Sequence, residues 1–167
     1  MTAGVRLVTL FCATLAFGTA GAEATTVQEG AGMSNQAKGS FEVRITPLSK
    51  DEKVPGLAVG RLAFDKQFQG DFEGASKGEM MTTETSVKDS GGYVAVEQVS
   101  GKLLGRRGSF ALLHQATMRQ GGDLRLSIIV VPDSGTEELA GLTGTMTIII
   151  KDGRHFYQFD YALPQAP

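Results

Sequence analysis

The sequence predicts an all-β fold, built as a small antiparallel closed β-barrel of about eight strands. Short apolar stretches are separated, about every 8–12 residues, by glycine, proline or aspartate residues that commonly form turns. Several stretches alternate apolar and polar side chains, which is the period of a half-buried strand. After the N-terminal region, no stretch of useful length shows helical periodicity. A barrel is favoured over a β-sandwich because closing the sheet removes its exposed edges.

These patterns predict the strands in order. The first lies around residues 41–45, and residues 47–56 are expected to form a loop. In the next strand, 57–69, one face carries Leu62, Phe64 and Phe68. Residues 70–83 alternate charged and small side chains, which places the small ones inside the barrel. Further strands are predicted at 93–99, 109–118, 124–131, 145–151 and 155–163, and the Asp152-Gly153 dipeptide is typical of a hairpin turn.

The N-terminal segment has the three parts of a secretory signal peptide. A weakly positive start with Arg6 precedes an uncharged apolar run at 7–17, and Ala22-Glu23-Ala24 is a small-x-small cleavage site. The apolar run is shorter than the roughly 20 residues that span a bilayer. A buried N-terminal helix is the alternative, but the cleavage pattern favours a signal peptide.

The expected organisation is therefore a signal peptide at 1–24, a flexible leader at 25–37 and one β-barrel domain at 38–164. We expect the protein to be secreted or periplasmic, with no stable membrane insertion after cleavage of the signal peptide. The chain's one cysteine, Cys12, would leave with that peptide. The exported domain would then have no disulfide and would be held together by its core alone.

Composition argues against several kinds of partner. The formal net charge is −2, and the densest basic feature is the pair Arg106-Arg107. Nucleic acid is not expected as a partner, because its binding requires clustered lysine and arginine. The chain has only 2 histidines and shows neither a metal-ligand spacing nor a glycine-rich phosphate-binding loop. We therefore expect no metal and no cofactor.

Four segments of the chain resemble a known protein family: KGSFEVRITPL, DKQFQGDFEGASKGEM, GYVAVEQVSGKLLGRRGSFALLHQATM and VPDSGTEELAGLTGTMTI. The family is a bacterial domain-of-unknown-function family, related in fold to the allene oxide cyclase barrel. The glycine spacing within 134–146 is also similar to a hairpin of allene oxide cyclases and dirigent proteins. The resemblance spans about residues 38–164 and implies an eight-stranded allene oxide cyclase-like barrel with a central cavity. It implies no particular reaction, because function does not follow from fold.

Three residues are candidates for catalysis if the barrel is an enzyme: Glu97, His114 and Tyr93. Glu97 and Tyr93 share one face of an apolar strand, where burial would raise the pKa of a carboxyl and suit acid or base chemistry. The alternative is an outward-facing Glu97, or one paired with Arg106 or Arg107. His114 lies on an apolar face of the next strand, where a hydrogen-bonded core histidine is the commoner outcome. If the barrel does chemistry or binds a ligand with a polar group, both side chains should point inward, and Glu97 and His114 should then approach each other because consecutive strands pair.

Two functions compete on this sequence. The first is an exported barrel that binds a small apolar molecule in its interior. The alternative is an isomerase or cyclase of the allene oxide cyclase type, acting on a small hydrophobic substrate, with Glu97, His114 and Tyr93 as its polar groups. A third hypothesis is a structural role in the cell envelope through self-association, and the sequence leaves a homo-oligomer open. A barrel plugged by Phe and Leu would argue against the first two, and a deep polar cluster in an open barrel would favour the enzyme.

We predict that the exported form begins at or near Thr25, because the apolar run and the Ala22-Glu23-Ala24 site fit signal-peptidase cleavage. N-terminal sequencing of protein from the periplasm or the medium measures this directly. Recovery of exported protein that still carries Met1 would contradict it.

Overall fold

The computed structural model describes residues 35–49, 52–54 and 57–164. The predicted signal peptide, its cleavage site and the leader up to residue 34 lie outside this range. Among the residues described, no helix is long and apolar enough to cross a membrane.

The described part of the chain forms an antiparallel sheet that closes on itself. Neighbouring strands from β3 to β9 pair in sequence order, and β1 pairs with both β3 and β9, so that eight strands make a closed ring. The short β2 lies outside this ring and pairs with β3. The elements are β1 (Asn35–Pro47), β2 (Glu52–Val54), β3 (Leu57–Gly70), β4 (Phe72–Thr85), β5 (Gly91–Leu103), β6 (Arg106–Arg119), β7 (Asp123–Val130), the single 3-10 turn η1 (Glu137–Leu139), β8 (Thr143–Lys151) and β9 (Arg154–Ala162).

The structure confirms the predicted eight-stranded antiparallel closed barrel and changes some boundaries. β1 begins at Asn35 rather than after residue 37, because residues 35–41 pair with β9 and Ala37 is fully buried. The predicted loop at 47–56 contains the three residues of β2. β5 and β6 are longer than their sequence patterns suggested and meet in a tight turn, where Leu104 and Gly105 have φ values of 48° and 87°.

One end of the barrel is filled by apolar side chains. This closed end is where β3, β5, β7 and β9 finish, and Leu139 of η1 and the following Leu142 cover it with both side chains fully buried. Aromatic rings pack edge to face or stacked beneath this cover. The packed residues include Phe68, Phe72, Leu103, Phe110, Tyr157, Phe159 and Tyr161.

The other end, which we call the mouth, is where β1, β4, β6 and β8 finish. Here side chains on the inward face of the strands remain exposed to solvent. Four of them are large and apolar, with exposed fractions of 53%, 44%, 54% and 66%: Ile45, Met118, Leu124 and Ile150. The barrel is therefore packed solid at one end and has an apolar rim at the other.

Gly144 lies at the closed end, where β8 approaches β9. A Cβ added at this position would lie 2.5 Å from the backbone oxygen of Asp160 and 2.9 Å from Cε2 of Phe159. Backbone cannot yield without disturbing the β8–β9 ladder, so only glycine fits here. Gly141, in the preceding loop, has a φ of +75°, which also favours glycine.

We predict that Gly144→Val lowers the melting temperature by several degrees, which corresponds to about 1–3 kcal/mol of strain. Thr145→Val is the matched control, because Thr145 is the next residue of β8 and is exposed. Thermal unfolding followed by circular dichroism measures both. Equal melting temperatures for the two variants would contradict the steric role of Gly144.

Candidate functional site

Four polar side chains lie buried near the middle of the barrel, and we call them the central cluster: Lys66, Ser76, Glu97 and His114. Their exposed fractions are 7%, 4%, 0% and 3%, among otherwise apolar buried residues. Buried charges are costly unless they are paired. The geometry of this cluster therefore decides what the interior can do.

Strand alternation places Glu97 inside. Along β5, Ala95, Glu97 and Val99 are buried, whereas Val94 and Val96 point outward and are more than half exposed. Glu97 lies six positions after Gly91, the start of β5 at the mouth, which is about 20 Å along a strand. The carboxylate thus lies deep in the barrel.

The neighbouring strands bring the partners of Glu97 to the same depth. Lys66 on β3 and Ser76 on β4 are opposite each other in the β3–β4 ladder. Gly78 is opposite Glu97 on β4, and the ring of Phe64 lies where a side chain at this position would be. His114 on β6 is opposite Ala95, one inward position closer to the mouth than Glu97.

Both carboxylate oxygens of Glu97 are engaged. Lys66 Nζ donates a hydrogen bond to Oε2 at 2.7 Å, and Ser76 Oγ donates a short one to Oε1. His114 Nε2 lies 2.8 Å from Oε2, but the ring N–H is not aligned on that oxygen, so this contact is a close approach rather than a hydrogen bond. Lys66 and Ser76 therefore hold the carboxylate from two strands, and His114 contacts it from a third.

These contacts determine the charge of Glu97. Burial by itself would raise its pKa, but the close approach of His114, the charge of Lys66 and the hydrogen bonds from Lys66 and Ser76 together outweigh it. The pKa of Glu97 consequently lies below its ordinary value of 4.5. Glu97 is therefore a carboxylate at neutral pH. Burial alone would have raised its pKa and made it a stronger base, but the lowered pKa makes it a weaker one.

Aromatic rings surround the ammonium group of Lys66. Its Nζ lies 5.0 Å from the ring centre of Phe41, 5.1 Å from that of Phe64 and 5.8 Å from that of Phe68. The negative faces of such rings attract a cation. The aromatic surroundings and the ion pair with Glu97 together explain how a lysine is buried here.

The structure brings two of the three sequence candidates together. Glu97 and His114 both face the interior and are in contact, whereas Tyr93 lies four residues nearer the mouth on the same face of β5. Burial, and then the charge of Glu97, raise the pKa of Tyr93, so its phenol is neutral and can donate a hydrogen bond. Arg106 and Arg107 lie at the closed-end turn and do not pair with Glu97, which contacts Lys66 instead. A catalytic role for Glu97, His114 and Tyr93 stays a prediction.

Lys66 is the residue that sequence reasoning missed. It occupies the same alternating face as Leu62, Phe64 and Phe68, so its position carried a signal. A lysine within an apolar face is ordinarily turned to solvent, which obscures that signal. Ser76, by contrast, lies on the small-residue face of β4 that the sequence placed inside.

Other features of the described residues offer less chemistry. No three His, Cys, Asp or Glu side chains within 35–49, 52–54 and 57–164 group as metal ligands would. A crevice of about 470 Å³ opens beside the outer faces of β4, β5 and β6. It is lined mainly by small side chains, including Ala75, Ser100, Ser109, Ala111 and Ser134, and of the central cluster it includes Ser76 but not Lys66, Glu97 or His114.

Comparison with known proteins identifies the family. A family model described as "Protein of unknown function (DUF3224)" matches residues 37–161. The chain belongs to this family. The crystal structure of a DUF3224 protein of unknown function from Shewanella oneidensis MR-1 is 48% identical, with a TM-score of 0.74, and the match covers 78% of this chain and 98% of that one. Among curated proteins, none matches the chain. These findings confirm the resemblance to a bacterial family of unknown function with a barrel fold.

We predict that Glu97→Gln destabilises this DUF3224 protein by about 3–5 kcal/mol at pH 7, because it leaves the charge of Lys66 buried without a counter-ion. Chemical denaturation measures the loss. The matched control is Glu79→Gln: Glu79 pairs with Arg61 at the same 2.7 Å, but both side chains are more than half exposed. That change should cost no more than about 1 kcal/mol.

Two further outcomes belong to this prediction. Removing both charges, in Lys66→Met with Glu97→Gln, should recover part of the lost stability. The gap between wild type and Glu97→Gln should narrow as the pH falls below about 4.5, since a lowered pKa contributes stability that is lost when the carboxylate is protonated. A Glu97→Gln protein as stable as Glu79→Gln would contradict the buried ion pair.

Proposed function

We propose that this DUF3224 protein is an exported barrel that binds a small, mainly apolar molecule at its mouth. The observation that carries the proposal is the apolar rim. Ile45, Met118, Leu124 and Ile150 belong to the inward face of their strands and yet are 44% to 66% exposed. A group of large apolar side chains left open to water at one end of a barrel is typical of a binding site.

Apolar side chains also line the barrel below the mouth, and they are more buried the deeper they lie. Below Leu124 and Ile150 lie Leu126 and Ile148, which are half-buried and pack against the core. Burying an aliphatic side chain against an apolar ligand contributes about 1.5–3 kcal/mol when the burial is complete. Micromolar affinity requires about 8 kcal/mol net of the entropic cost of association, so the rim and the side chains below it would have to contact the ligand together.

The central cluster supports this proposal as the floor of the site. Lys66, Ser76 and Glu97 satisfy one another and are almost wholly buried. They hold the strands of the barrel wall at a fixed spacing while offering few free polar groups to a ligand. Tyr93, half-buried between the cluster and the rim, is the neutral donor best placed to meet a polar group on the molecule.

An isomerase or cyclase is the second candidate, and one observation favours it. Glu97 and His114 are in contact deep inside the barrel, as a carboxylate and an imidazole are in many acid–base sites. The lowered pKa of Glu97 and its two hydrogen-bond donors make it a poor base. Binding without chemistry is therefore the better supported proposal.

Export is part of the same proposal and rests on the N-terminal pattern of the sequence. An apolar run followed by a small-x-small site fits a secreted or periplasmic protein. A binding barrel outside the cytoplasm would sequester or carry an apolar molecule through water.

We predict that the neutral apolar fluorophore N-phenyl-1-naphthylamine binds the protein and that Ile150→Ser weakens its binding at least about fivefold. Loss of buried aliphatic surface is the reason. Ile149→Ser is the matched control, because Ile149 is adjacent on β8 and 47% exposed but points outward. Fluorescence titration gives both dissociation constants.

Native mass spectrometry of protein purified from its own host complements the titration by detecting a co-purifying small molecule. Equal affinities for the Ile150→Ser and Ile149→Ser proteins would show that the fluorophore binds outside the mouth. Absence of binding to the wild-type protein, together with a ligand-free mass spectrum, would overturn the proposed function.

A further inference from the structure

One seam of the barrel is incompletely hydrogen-bonded. Within the described residues, Ile129 opposite Thr145 is the only residue pair in the ladder between β7 and β8. On either side of this seam the ladders are complete: the β6–β7 ladder includes every residue of β7, and the β8–β9 ladder includes every residue of β9. The single pair lies toward the closed end, so β7 and β8 continue to the mouth without pairing.

Apolar side chains flank this seam on the inward face of both strands. Leu126 of β7 and Ile148 of β8 both pack against the core, and Leu124 and Ile150 lie beyond them at the rim. Apolar contacts are not directional, unlike the hydrogen bonds of a ladder. Two strands held by such contacts can move apart, and their apolar side chains can then contact an apolar ligand instead of each other.

We infer that small apolar molecules enter the barrel sideways, between the mouth halves of β7 and β8. The inference rests on the proposed function, since it concerns the route to the same mouth site. An elongated apolar molecule suits this route, because it can slide between Leu126 and Ile148 while one end stays in solvent. At the mouth, β3 to β6 keep the ladders between them, and β8 stays paired with β9, whereas residues 42–47 of β1 pair with β3 alone.

Amide hydrogen exchange tests the open seam without a ligand. Half of the amides in residues 123–128 and 146–151 face the seam, and the other half face β6 or β9. We expect the seam-facing amides to exchange at least about tenfold faster than the amides of β5 and β6 at the same distance from the mouth. Uniform protection across these four strands would overturn the inference.

A reversible crosslink tests the route. Ser127 and Thr147 are exposed and continue the register of the Ile129–Thr145 pair by one outward position. The double variant Ser127→Cys with Thr147→Cys puts one thiol on each side of the seam, and an oxidant links them when the two strands come within disulfide reach. Cys12 is the chain's only cysteine, and its replacement by serine leaves no competing thiol.

The control is Val94→Cys with Gln115→Cys, a pair opposite each other in the intact β5–β6 ladder and also exposed.

The readout is the association rate of N-phenyl-1-naphthylamine by stopped-flow fluorescence. The oxidised 127–147 crosslink should slow association at least about tenfold, and a reductant should restore it, while the 94–115 crosslink changes it less than about twofold. If the fluorophore binds and neither crosslink slows it, or both slow it equally, the lateral route is wrong and the mouth site stands. If the wild-type protein binds no fluorophore, the proposed function fails and the route fails with it.

Discussion

The interior of this barrel depends on one buried carboxylate. Glu97 is completely buried, and only its contacts with Lys66, Ser76 and His114 make that tolerable. With Glu97 on β5 and its three partners on β3, β4 and β6, the contacts join four consecutive strands, so the same interaction that satisfies the charge also fixes how these strands sit against one another. A buried ion pair of this kind specifies one arrangement, because any slip of register would strand a charge in the core.

The central cluster also divides the barrel into two unlike halves. Toward the closed end, stacked aromatic rings and the cover provided by Leu139 and Leu142 leave a solid core. Toward the mouth, the strands present apolar side chains to water, and the β7–β8 seam lacks most of its ladder. The wall formed by β3 to β6 is therefore the rigid one, because the ion pair joins its strands. The wall formed by β7 and β8 is the one that can move. A molecule bound at the mouth would have the fixed central cluster below it and the movable β7–β8 seam on one side.

Much of the fold followed from alternation and turn residues, and the central cluster followed in part. Alternation along β5 and β6 assigned Glu97 and His114 each to one face of its strand, but it left open whether the face of Glu97 points inward. Alternation along β3 likewise puts Lys66 on the face of Phe64 and Phe68, while the affinity of lysine for water argues for solvent. The contact between Lys66 and Glu97, on strands that are not adjacent, decides both. The early start of β1 and the pairing of β2 depend on partners far along the chain, which no local pattern reveals. The sequences of β7 and β8 are both rich in β-branched residues, and nothing in them indicates that most of the ladder between these two strands is missing.

The central claim is that Glu97 is ionised inside the barrel because Lys66, Ser76 and His114 hold it so. A pH titration followed by the carboxyl-carbon NMR signal of Glu97, assigned by its absence in the Glu97→Gln protein, tests this most directly. The account predicts a pKa below the ordinary 4.5, or a signal that remains that of a carboxylate until the protein unfolds in acid. A pKa at or above 4.5 in the folded protein would contradict the account, because burial would then outweigh the three partners.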